Sequence, residues 1–547
     1  MPPTDFQIRV LPSLTKVFGD EPLTDVGSRN GTALRGEVYS FQVAYRSESL
    51  RKQIDVEVDS DLAKYIQIRE VALVPSDLPG IRFDRHVLRT TPGMYPDLLQ
   101  PIEEGLTAPP GQWRAVWITL RIPHRTVSGK HRIELQFRES RRLLGTARFT
   151  IDIVDALLPR QKLIHTSWFH TDCIATHYGD PVWSPNHWHH VESFVASAVD
   201  HGINLLLTPL FTPPLDTAVG GERPTVQLID VTRQGRGGSA DYDFNFARLD
   251  RWVRMADRCG VRFFEMSHLF TQWGAKHCPK IEDTEGRKLF GWQSRATGVA
   301  YRRFLDQFLP ALVRYIDRRR LRKRCYFHVS DEPSIAHLDN FTAAAQMVQN
   351  HLRGFPFIDA LSNLEFYDRG LVQRPIPSND HIEPFVNRDI KGLWTYYCVS
   401  QSQEVSNRFF CMPSARNRIL GSQLYRYDLA GFLHWGFNFY YTQFSRRPVD
   451  PFRETDAGKA FPSGDAYLVY PGDDGPLDSI RSEVFREALQ DQRALQLLEN
   501  LQGRDKTLAL LEKGLARPIT MKRYPRDAQW LLQMRQRCNR RIAALSG

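Results

Sequence analysis

The chain has 547 residues, of which 42% are hydrophobic and 24% are charged, fractions that are ordinary for a folded protein with a large core. No run of about 18 apolar residues occurs, so the sequence predicts no membrane-spanning helix and no membrane partner. The start of the chain lacks a basic segment followed by an apolar one. This predicts a cytoplasmic protein, or a secreted or periplasmic one if a leader precedes this sequence.

The seven cysteines are scattered and form no C-x-x-C pair, which predicts reduced thiols and no cysteine-based zinc site. The formal net charge of +10 is modest for this length, and the one dense basic cluster, Arg314 to Arg324, ends a predicted helix. No nucleic-acid-binding motif accompanies the cluster, so we interpret it as a solvated helix end and expect no nucleic-acid partner. Gly235 to Gly238 lacks the strand-to-helix setting of a phosphate-binding loop, and no cofactor is predicted.

Residues 1–157 alternate short β-rich runs with turn residues, as in Val38 to Tyr45 and Trp113 to Leu120. Apolar and polar positions alternate in these runs, which indicates that one face of each strand is buried and the other is wet. No long helical period intervenes between them. The pattern predicts an N-terminal antiparallel β-sandwich domain.

Residues 158–478 alternate strands with helices, which favours a parallel sheet. Eight candidate strands in about 275 residues match the size of a (β/α)8 TIM-like barrel. They are Leu163 to Phe169, Asn204 to Leu207, Val261 to Met266, Tyr326 to Val329, Phe357 to Ser362, His381 to Val386, Leu393 to Tyr397 and Phe432 to Trp435. The Gly- and Pro-rich stretch from Thr208 to Asp243 is predicted to be a loop on the C-terminal face of the barrel. Residues 479–547 have apolar positions at helical spacing and are predicted to form a helical extension packed on the barrel.

One predicted strand, Tyr326 to Val329, is followed by the adjacent carboxylates Asp331 and Glu332 and then by Pro333. The ends of buried parallel strands are where α/β enzymes place catalytic carboxylates. The same Asp-Glu-Pro-Ser sequence is also typical of a helix start. The local pattern therefore leaves helix capping and catalysis both open for this pair.

Further polar and aromatic residues follow the other predicted strands and would face the same bowl. The candidate substrate-binding residues are Trp168, His170, Asp172, His268, Asn363, Glu383, Trp394, Tyr396, Trp435 and Asn438. Aromatic rings pack on the apolar face of a sugar while carboxylates and amides bond its hydroxyls, so this set favours a carbohydrate partner. The histidines among them lie on different strands without the H-E-x-x-H spacing, and no metal site is predicted.

Four segments, in this order along the chain, resemble glycoside hydrolase family 123 and the relatives that share its catalytic domain. They are Phe327 to Pro333, Gly431 to Asn438, Tyr470 to Gly472 and Ser479 to Glu487. The resemblance covers residues 160 to 500, and an N-terminal β-sandwich also suits the architecture of the family.

The resemblance implies a β-N-acetylgalactosaminidase, an exo-acting enzyme that cleaves with retention and uses the 2-acetamido group of its substrate as the nucleophile. It implies that Glu332 is the general acid and base, and that Asp331 orients the acetamide and stabilises an oxazolinium-like intermediate. The sequence departs from the family after Asn438, where the family typically has a tryptophan and this chain has Phe439, Tyr440 and Tyr441. A second departure is Ala488, at a position where glycine is common.

Two alternatives remain open at this stage. A glycosidase of non-acetamido substrates would keep Glu332 as acid and use a carboxylate from another strand, such as Glu265 or Glu383, as nucleophile. A non-catalytic carbohydrate-binding barrel would use Asp331 and Glu332 only as helix caps.

Overall fold

The computed structural model describes residues 5–235 and 240–546. The interpretation of Gly235 to Gly238 therefore falls largely outside the described residues, as does a short part of the predicted loop from Thr208 to Asp243. None of the helices in the described ranges has the length and apolar character that a membrane crossing requires.

The N-terminal region consists of two five-stranded sheets, with strand orders β1-β3-β8-β5-β6 and β2-β10-β9-β4-β7. Strands β1 to β10 are Phe6–Pro12, Asn30–Arg35, Val38–Ser47, Arg51–Asp59, Ile66–Ser76, Gly93–Pro101, Leu106–Ala108, Arg114–Arg121, Gly129–Glu139 and Arg142–Leu157. Their apolar faces meet in a shared core, in which Phe41 of one sheet stacks on Phe149 of the other at 4.2 Å between ring centroids. The sequence prediction of a sheet-rich N-terminal region is confirmed.

The expectation of purely antiparallel pairing is wrong at one place, because β2 runs parallel to β10. The other ladders of the two sheets are antiparallel. A long irregular segment separates Pro12 from Asn30, and it lets β2 reach the edge of the opposite sheet in the same direction as β10. A tight hairpin could not have made this parallel pair.

The middle and C-terminal regions alternate short strands with helices. Strands β11 to β24 are Ile164–Ser167, Leu205–Thr208, Asp230–Gln234, Asp241–Asn245, Phe263–Met266, Ile281–Glu282, Lys288–Phe290, Cys325–Phe327, Ile358–Ala360, Arg374–Ile376, Trp394–Tyr396, Gly431–His434, Tyr470–Gly472 and Gly475–Leu477. Helices α1 to α11 are Thr171–Tyr178, Pro185–Asp200, Ala247–Cys259, Val299–Arg318, Leu338–Gln349, Glu365–Asp368, Glu383–Asn387, Ser414–Arg426, Ile480–Gln502, Arg504–Leu511 and Ala528–Ser546.

Parallel ladders join β11-β22-β21, β12-β15-β18 and β19-β20. Single parallel bridges join Phe327 to Phe357 and Ser378 to Tyr396. The three ladders do not merge into one continuous sheet in the part of the chain that is described, so the structure shows separate parallel sheets and does not confirm the predicted closed barrel. Residues at or just beyond the C-terminal ends of β11, β18, β19 and β21 nevertheless line one cavity.

The sixth predicted strand, His381 to Val386, is wrong: the strand at this place in the order is β20, and the predicted segment overlaps helix α7. Pro384 lies in the first turn of α7, where a missing backbone N–H costs no helical hydrogen bond. Pro375 lies inside β20. Because proline has no N–H to donate to a β-ladder, its presence in a segment argues against a strand, and the sequence therefore did not predict β20. The predicted loop from Thr208 to Asp243 also differs, because it contains β13 and the start of β14, which pair as a hairpin.

Helix α9 packs along α8 and closes the C-terminal part of the molecule, as the helical prediction for this region expected. Ser479 caps its N-terminus, since Ser479 Oγ accepts a hydrogen bond from Ser482 N at 3.1 Å. Arg418 of α8 forms buried ion pairs with Glu487 and Asp491 of α9, at 2.7 and 2.8 Å. Arg535 of α11 reaches Asp491 at 3.0 Å, so one carboxylate joins three helices.

Candidate active site

Asp331 and Glu332 lie just beyond the C-terminal end of β18, and the backbone around them is fixed on both sides. Glu332 N donates to Ala360 O at 3.1 Å, and Trp273 N donates to Asp331 O at 3.0 Å. Glu332 has a φ of 43°, in the left-handed region that a residue with a side chain rarely adopts. Strain of this kind persists where the surrounding structure imposes it, and it is concentrated at functional sites.

The pair does not cap the helical turn that follows. Ser334 occupies the N-cap of that turn, and its side chain and His337 form a capping box. The capping interpretation of Asp331 and Glu332 therefore has no support in the geometry, and both carboxylates are free for another purpose.

Both carboxylates line a cavity of about 120 Å³ on the C-terminal side of the strands. Its polar lining includes a third carboxylate, Asp216, and the amide of Gln272. Its aromatic lining consists of Trp168, Trp273, Tyr396, Trp435 and Phe461. Such a mixture of ring faces with a few convergent polar groups is the usual lining of a sugar site.

The protonation of the pair is set by burial and by mutual repulsion. Burial raises the pKa of Asp331 well above its usual range, and the adjacent Glu332 carboxylate raises it further. Burial also raises the pKa of Glu332, although the Tyr396 hydroxyl opposes this by donating to Glu332 Oε1 at 2.8 Å. Both shifts favour retention of a proton by the pair at a pH where isolated carboxylates would be ionised.

A buried histidine lies directly beneath this pair. His328 Nε2 lies 2.6 Å from Glu265 Oε1, and His328 Nδ1 lies 3.3 Å from Asp359 Oδ1. Although burial opposes it, hydrogen bonds to Asp359 and Glu265 raise the pKa of His328 to about 9, while burial raises the pKa of Asp359 to about 6. The His328 imidazolium therefore carries positive charge close to the carboxylates at neutral pH.

Glu265 is completely buried and its oxygens are occupied. Trp168 Nε1 donates to Glu265 Oε1 at 2.8 Å, and Thr166 donates to the other oxygen. Glu265 is not part of the cavity lining, so it orients Trp168 and His328 rather than facing a substrate.

His268 stacks on His328 at 4.1 Å between ring centroids, beneath the cavity. Burial lowers the pKa of His268 well below its usual range, so its ring is neutral. His268, His328 and Asp359 present ligand atoms within 4.8 Å of one another, the spacing of a possible metal site. Both nitrogens of His328 are already paired with carboxylates, which makes the group a hydrogen-bonded cluster that fits an imidazolium better than a metal ion.

Trp435, another predicted residue in the lining, is held from behind by a carboxylate that sequence reasoning missed. Trp435 Nε1 donates to Asp465 Oδ2 at 2.8 Å. Burial raises the pKa of Asp465 to about 7. Arg408 lies in the same buried cluster, where its Nη2 is 2.7 Å from His434 Nδ1.

Three predicted residues, His170, Asp172 and Asn438, lie behind the lining rather than in it. Asp172 forms a buried bidentate ion pair with Arg223, at 2.6 and 2.7 Å. Arg223 Nη1 in turn donates to Leu215 O at 2.9 Å, which fixes a residue of the cavity wall. Asn438 Oδ1 accepts from His170 N at 2.8 Å, so Asn438 ties β22 to the start of α1.

The remaining predicted residues differ in position. Tyr396 and Trp168 line the cavity, whereas Trp394 is fully buried beneath it. Asn363 is exposed and does not line the cavity. The placement of Glu383 at a strand end is wrong, because Glu383 lies exposed on α7, and the misassigned sixth strand explains the error.

Asp216, Arg223, Asp359 and Asp465 are the polar residues that sequence reasoning missed. Asp216 and Arg223 lie in the Gly- and Pro-rich stretch after β12, where no periodic pattern marks a functional side chain. Asp359 lies within a predicted strand and could have been noticed as an uncommon charge in an apolar run.

Comparisons with known proteins identify the family of the chain. A model of the glycoside hydrolase 123 catalytic domain matches residues 168–498. The structure of a family 123 glycoside hydrolase from Clostridium perfringens is similar with a TM-score of 0.75 and 13% identity, over 99% of this chain and 98% of that chain. No curated protein matches the sequence at a significant level.

Two further solved structures resemble the chain more weakly. A GH5 xyloglucanase from Bacteroides ovatus has a TM-score of 0.30 and 9% identity, over 88% of this chain and 100% of that one. A family 39 glycoside hydrolase from Bacteroides cellulosilyticus has a TM-score of 0.33 and 9% identity, over 80% of each chain.

The family model spans well over half of the chain, from the first cavity residue, Trp168, to the interior of α9. It includes the Asp331–Glu332 pair, and the resemblance noted in the sequence is confirmed. The chain belongs to glycoside hydrolase family 123 and is a glycoside hydrolase.

Proposed function

We propose that this glycoside hydrolase removes a terminal β-linked N-acetylhexosamine, with N-acetylgalactosamine as the preferred sugar, and retains the configuration at the anomeric carbon. The observation that carries the proposal is the placement of Asp331 and Glu332 side by side in one cavity lined by aromatic rings. Adjacent carboxylates cannot act on opposite faces of a sugar ring. They suit a reaction in which the nucleophile comes from the substrate.

In the first step, protonated Glu332 donates its proton to the glycosidic oxygen while the acetamide carbonyl oxygen attacks the anomeric carbon. The bond to the leaving group breaks and an oxazolinium-like ring forms. Asp331, ionised, accepts a hydrogen bond from the acetamide N–H and stabilises the positive charge that develops there. In the second step, ionised Glu332 takes a proton from water, and that water opens the ring at the same carbon.

The shared proton of the pair fits these two roles. A substrate whose acetamide N–H meets Asp331 favours the ionised form of that residue, and its glycosidic oxygen then requires the proton on Glu332. The raised pKa of Glu332, caused by burial, favours its protonated form.

Trp168 and Trp435 give the cavity apolar faces against which a sugar ring can pack. Their indole nitrogens are bonded to Glu265 and Asp465, so both rings are held in place before a substrate arrives. The Clostridium perfringens neighbour is an enzyme of glycolipid glycan hydrolysis. We propose a related substrate class here, the glycan of a glycoconjugate.

The proposal also includes the architecture that holds the site. We infer that β11, β12, β15 and β18 to β22 close a (β/α)8 barrel in residues 158–478, between a sandwich domain at 1–157 and a helical extension at 479–547. Support comes from the neighbour relations, which follow chain order from β18 to β22 through ladders and single bridges. Asn204 N also donates to His165 O at 3.0 Å, which links β11 to the start of β12.

The test compares aryl β-glycosides of N-acetylgalactosamine, N-acetylglucosamine and galactose. Wild type should cleave the acetamido sugars and leave the galactoside intact. Glu332→Gln and Asp331→Asn should each lower kcat/KM at least about a hundredfold, as expected for loss of an acid or of charge stabilisation. Glu103→Gln, a matched change at an exposed position in the N-terminal region, should leave activity unchanged.

Cleavage of the galactoside at a comparable rate would contradict acetamide participation and favour a carboxylate nucleophile. Full activity of Glu332→Gln would contradict the assignment of the acid. Sugar binding without turnover by wild type would indicate a binding protein and contradict the enzymatic proposal.

A further inference from the structure

Asp216 is the third carboxylate of the cavity lining, and the proposed mechanism gives it no task. It lies in the segment between β12 and β13, away in sequence from the catalytic pair. Its side chain is half-buried, and burial raises its pKa to about 6. A carboxylate in this position costs solvation free energy unless a ligand compensates it.

Three contacts hold Asp216 in one orientation. Asp216 N donates to Gln272 Oε1 at 2.6 Å, and its carbonyl oxygen accepts from Ser445 Oγ at 2.7 Å. On the side chain, Oδ2 accepts from Phe444 N at 3.0 Å. Two other loops thus fix both the backbone and the carboxylate of this residue.

The backbone here is also strained. Asp216 has a φ of 41°, and its partners Phe444 and Ser445 have φ values of 61° and 54°. Glycine would adopt these angles without cost, yet each position carries a side chain. Residues other than glycine are kept in this unfavourable conformation mainly at functional sites, where the side chain has a role that offsets the cost.

The second carboxylate oxygen of Asp216 differs from the first, because among the described residues no group donates a hydrogen bond to Oδ1. The charge of Arg223 lowers the pKa of Asp216, but the Arg223 guanidinium is hydrogen-bonded to Asp172 and to the carbonyl of Leu215 rather than to Asp216. Oδ1 is therefore an acceptor left for hydrogen-bond donors that enter the cavity.

We propose that Asp216 binds hydroxyl groups of the terminal sugar and helps to select which sugar the enzyme accepts. The inference rests on the proposed function, because it takes from it that the ligand is an N-acetylhexosamine. It does not depend on the proposed reaction mechanism. Because the acetamide and the anomeric carbon meet Asp331 and Glu332, Asp216 on its separate loop meets hydroxyls on the remainder of the ring. A carboxylate is an acceptor that two neighbouring hydroxyls can share.

The test compares Asp216→Asn with wild type and with Asp243→Asn. The asparagine can still accept from Phe444 N, so the loop contact survives while the charge is lost. Asp243 lies in β14 and is exposed, and its side chain bonds only the side chain of Gln234 among the described residues. Both variants are assayed on the aryl N-acetylgalactosaminide and on its deoxy analogues that lack one ring hydroxyl.

Asp216→Asn should raise KM at least about tenfold, the loss expected for a hydrogen bond to a charged group, with kcat within about threefold of wild type. Asp243→Asn should match wild type. For one deoxy analogue, the KM of wild type should be as high as the KM of Asp216→Asn for the parent glycoside. The Asp216→Asn change should not raise the KM for that analogue any further.

A KM within twofold of wild type would overturn the proposal, and so would a fall in kcat accompanied by a lower thermal midpoint, since that indicates a structural role. Direct titration of N-acetylgalactosamine into Glu332→Gln and into the double variant with Asp216→Asn keeps the two proposals apart. If no glycoside is cleaved but sugar binding still depends on Asp216, the reaction proposal fails and the Asp216 proposal stands.

Discussion

At the scale of single residues, the hydrogen bond from Tyr396 to Glu332 adjusts the acidity of the proposed general acid. A hydroxyl that donates to a carboxylate stabilises its ionised form and lowers its pKa, against the rise that burial causes. Burial and the Tyr396 hydrogen bond therefore have opposite effects on the pKa of Glu332, and the hydrogen bond can be removed without changing the backbone.

Replacing Tyr396 by phenylalanine removes the influence that lowers the pKa. The pKa of Glu332 should then rise, so the acid stays protonated to higher pH and the alkaline limb of kcat/KM should move upward by about one pH unit. The measurement is the pH dependence of aryl glycoside hydrolysis between pH 4 and pH 9.

Tyr397→Phe is the matched control for this change. The Tyr397 hydroxyl is buried and has no hydrogen-bond partner among the described residues, so its removal should leave the pH profile in place. An unmoved or lowered alkaline limb in Tyr396→Phe would contradict the role given to the Tyr396 hydroxyl.

At the scale of elements, the close approach of α8 and α9 depends on the absence of a side chain at Gly421. A Cβ atom placed there would lie 1.9 Å from the carbonyl oxygen of Ala488, a backbone atom that cannot move without shifting α9. The two helices carry the buried Arg418 ion pairs, so a shift would also disturb those contacts.

Gly421→Ala should therefore destabilise the protein, although alanine is the better helix former by about 1 kcal/mol. We expect the free energy of unfolding to fall by about 2 kcal/mol or more, as for overpacking of a rigid interior. Urea denaturation measures the change.

Ser422→Ala on the same helix provides the comparison for Gly421→Ala. The buried Ser422 hydroxyl has no hydrogen-bond partner in the described ranges, so its removal should be neutral or stabilising. A Gly421→Ala variant as stable as wild type would show that α8 and α9 can separate without cost.

At the scale of the whole molecule, the N-terminal sheets and the C-terminal helices contribute side chains to one apolar cluster, so we expect the two regions to unfold together. Trp117 of β8 and Leu99 of β6 pack in the same apolar cluster as Val484 and Leu495 of α9. Across this interface Arg481 of α9 forms a fully buried pair with Asp97 of β6 at 2.8 Å.

Arg481→Met should leave Asp97 buried without its cation. Loss of one partner of a buried pair costs about 3–5 kcal/mol, and we expect that decrease in the free energy of unfolding. Because the core is shared, tryptophan fluorescence and far-ultraviolet circular dichroism should still report one coincident transition.

Arg148→Met, which breaks an exposed pair with Glu134, should change stability by less than about 1 kcal/mol. Two separated transitions in wild type, or equal effects of the two arginine variants, would contradict the view that the buried pair joins the two regions.

The sequence predictions were accurate for features that depend on neighbouring residues in the chain, and they failed for features that depend on distant ones. Seven of the eight predicted strands coincide with strands of the structure. A buried strand can be predicted in this way because its own residues form a short apolar run. The exception, β20, contains Pro375, and its pairing with β19 is decided by neighbours that its own sequence does not show. The family resemblance and the glycosidase class were likewise available from short segments of fixed order.

The sequence by itself indicated seven of the eight predicted strands, the family, and the Asp331–Glu332 pair at a strand end. Only the tertiary structure decided what surrounds that pair. Asp216 is held by Phe444 from 228 positions further along the chain, and Asp172 is paired with an arginine 51 positions away. Periodicity is a local property of a chain, whereas a cavity is formed by contacts between distant segments, and no local pattern records which distant residues will meet.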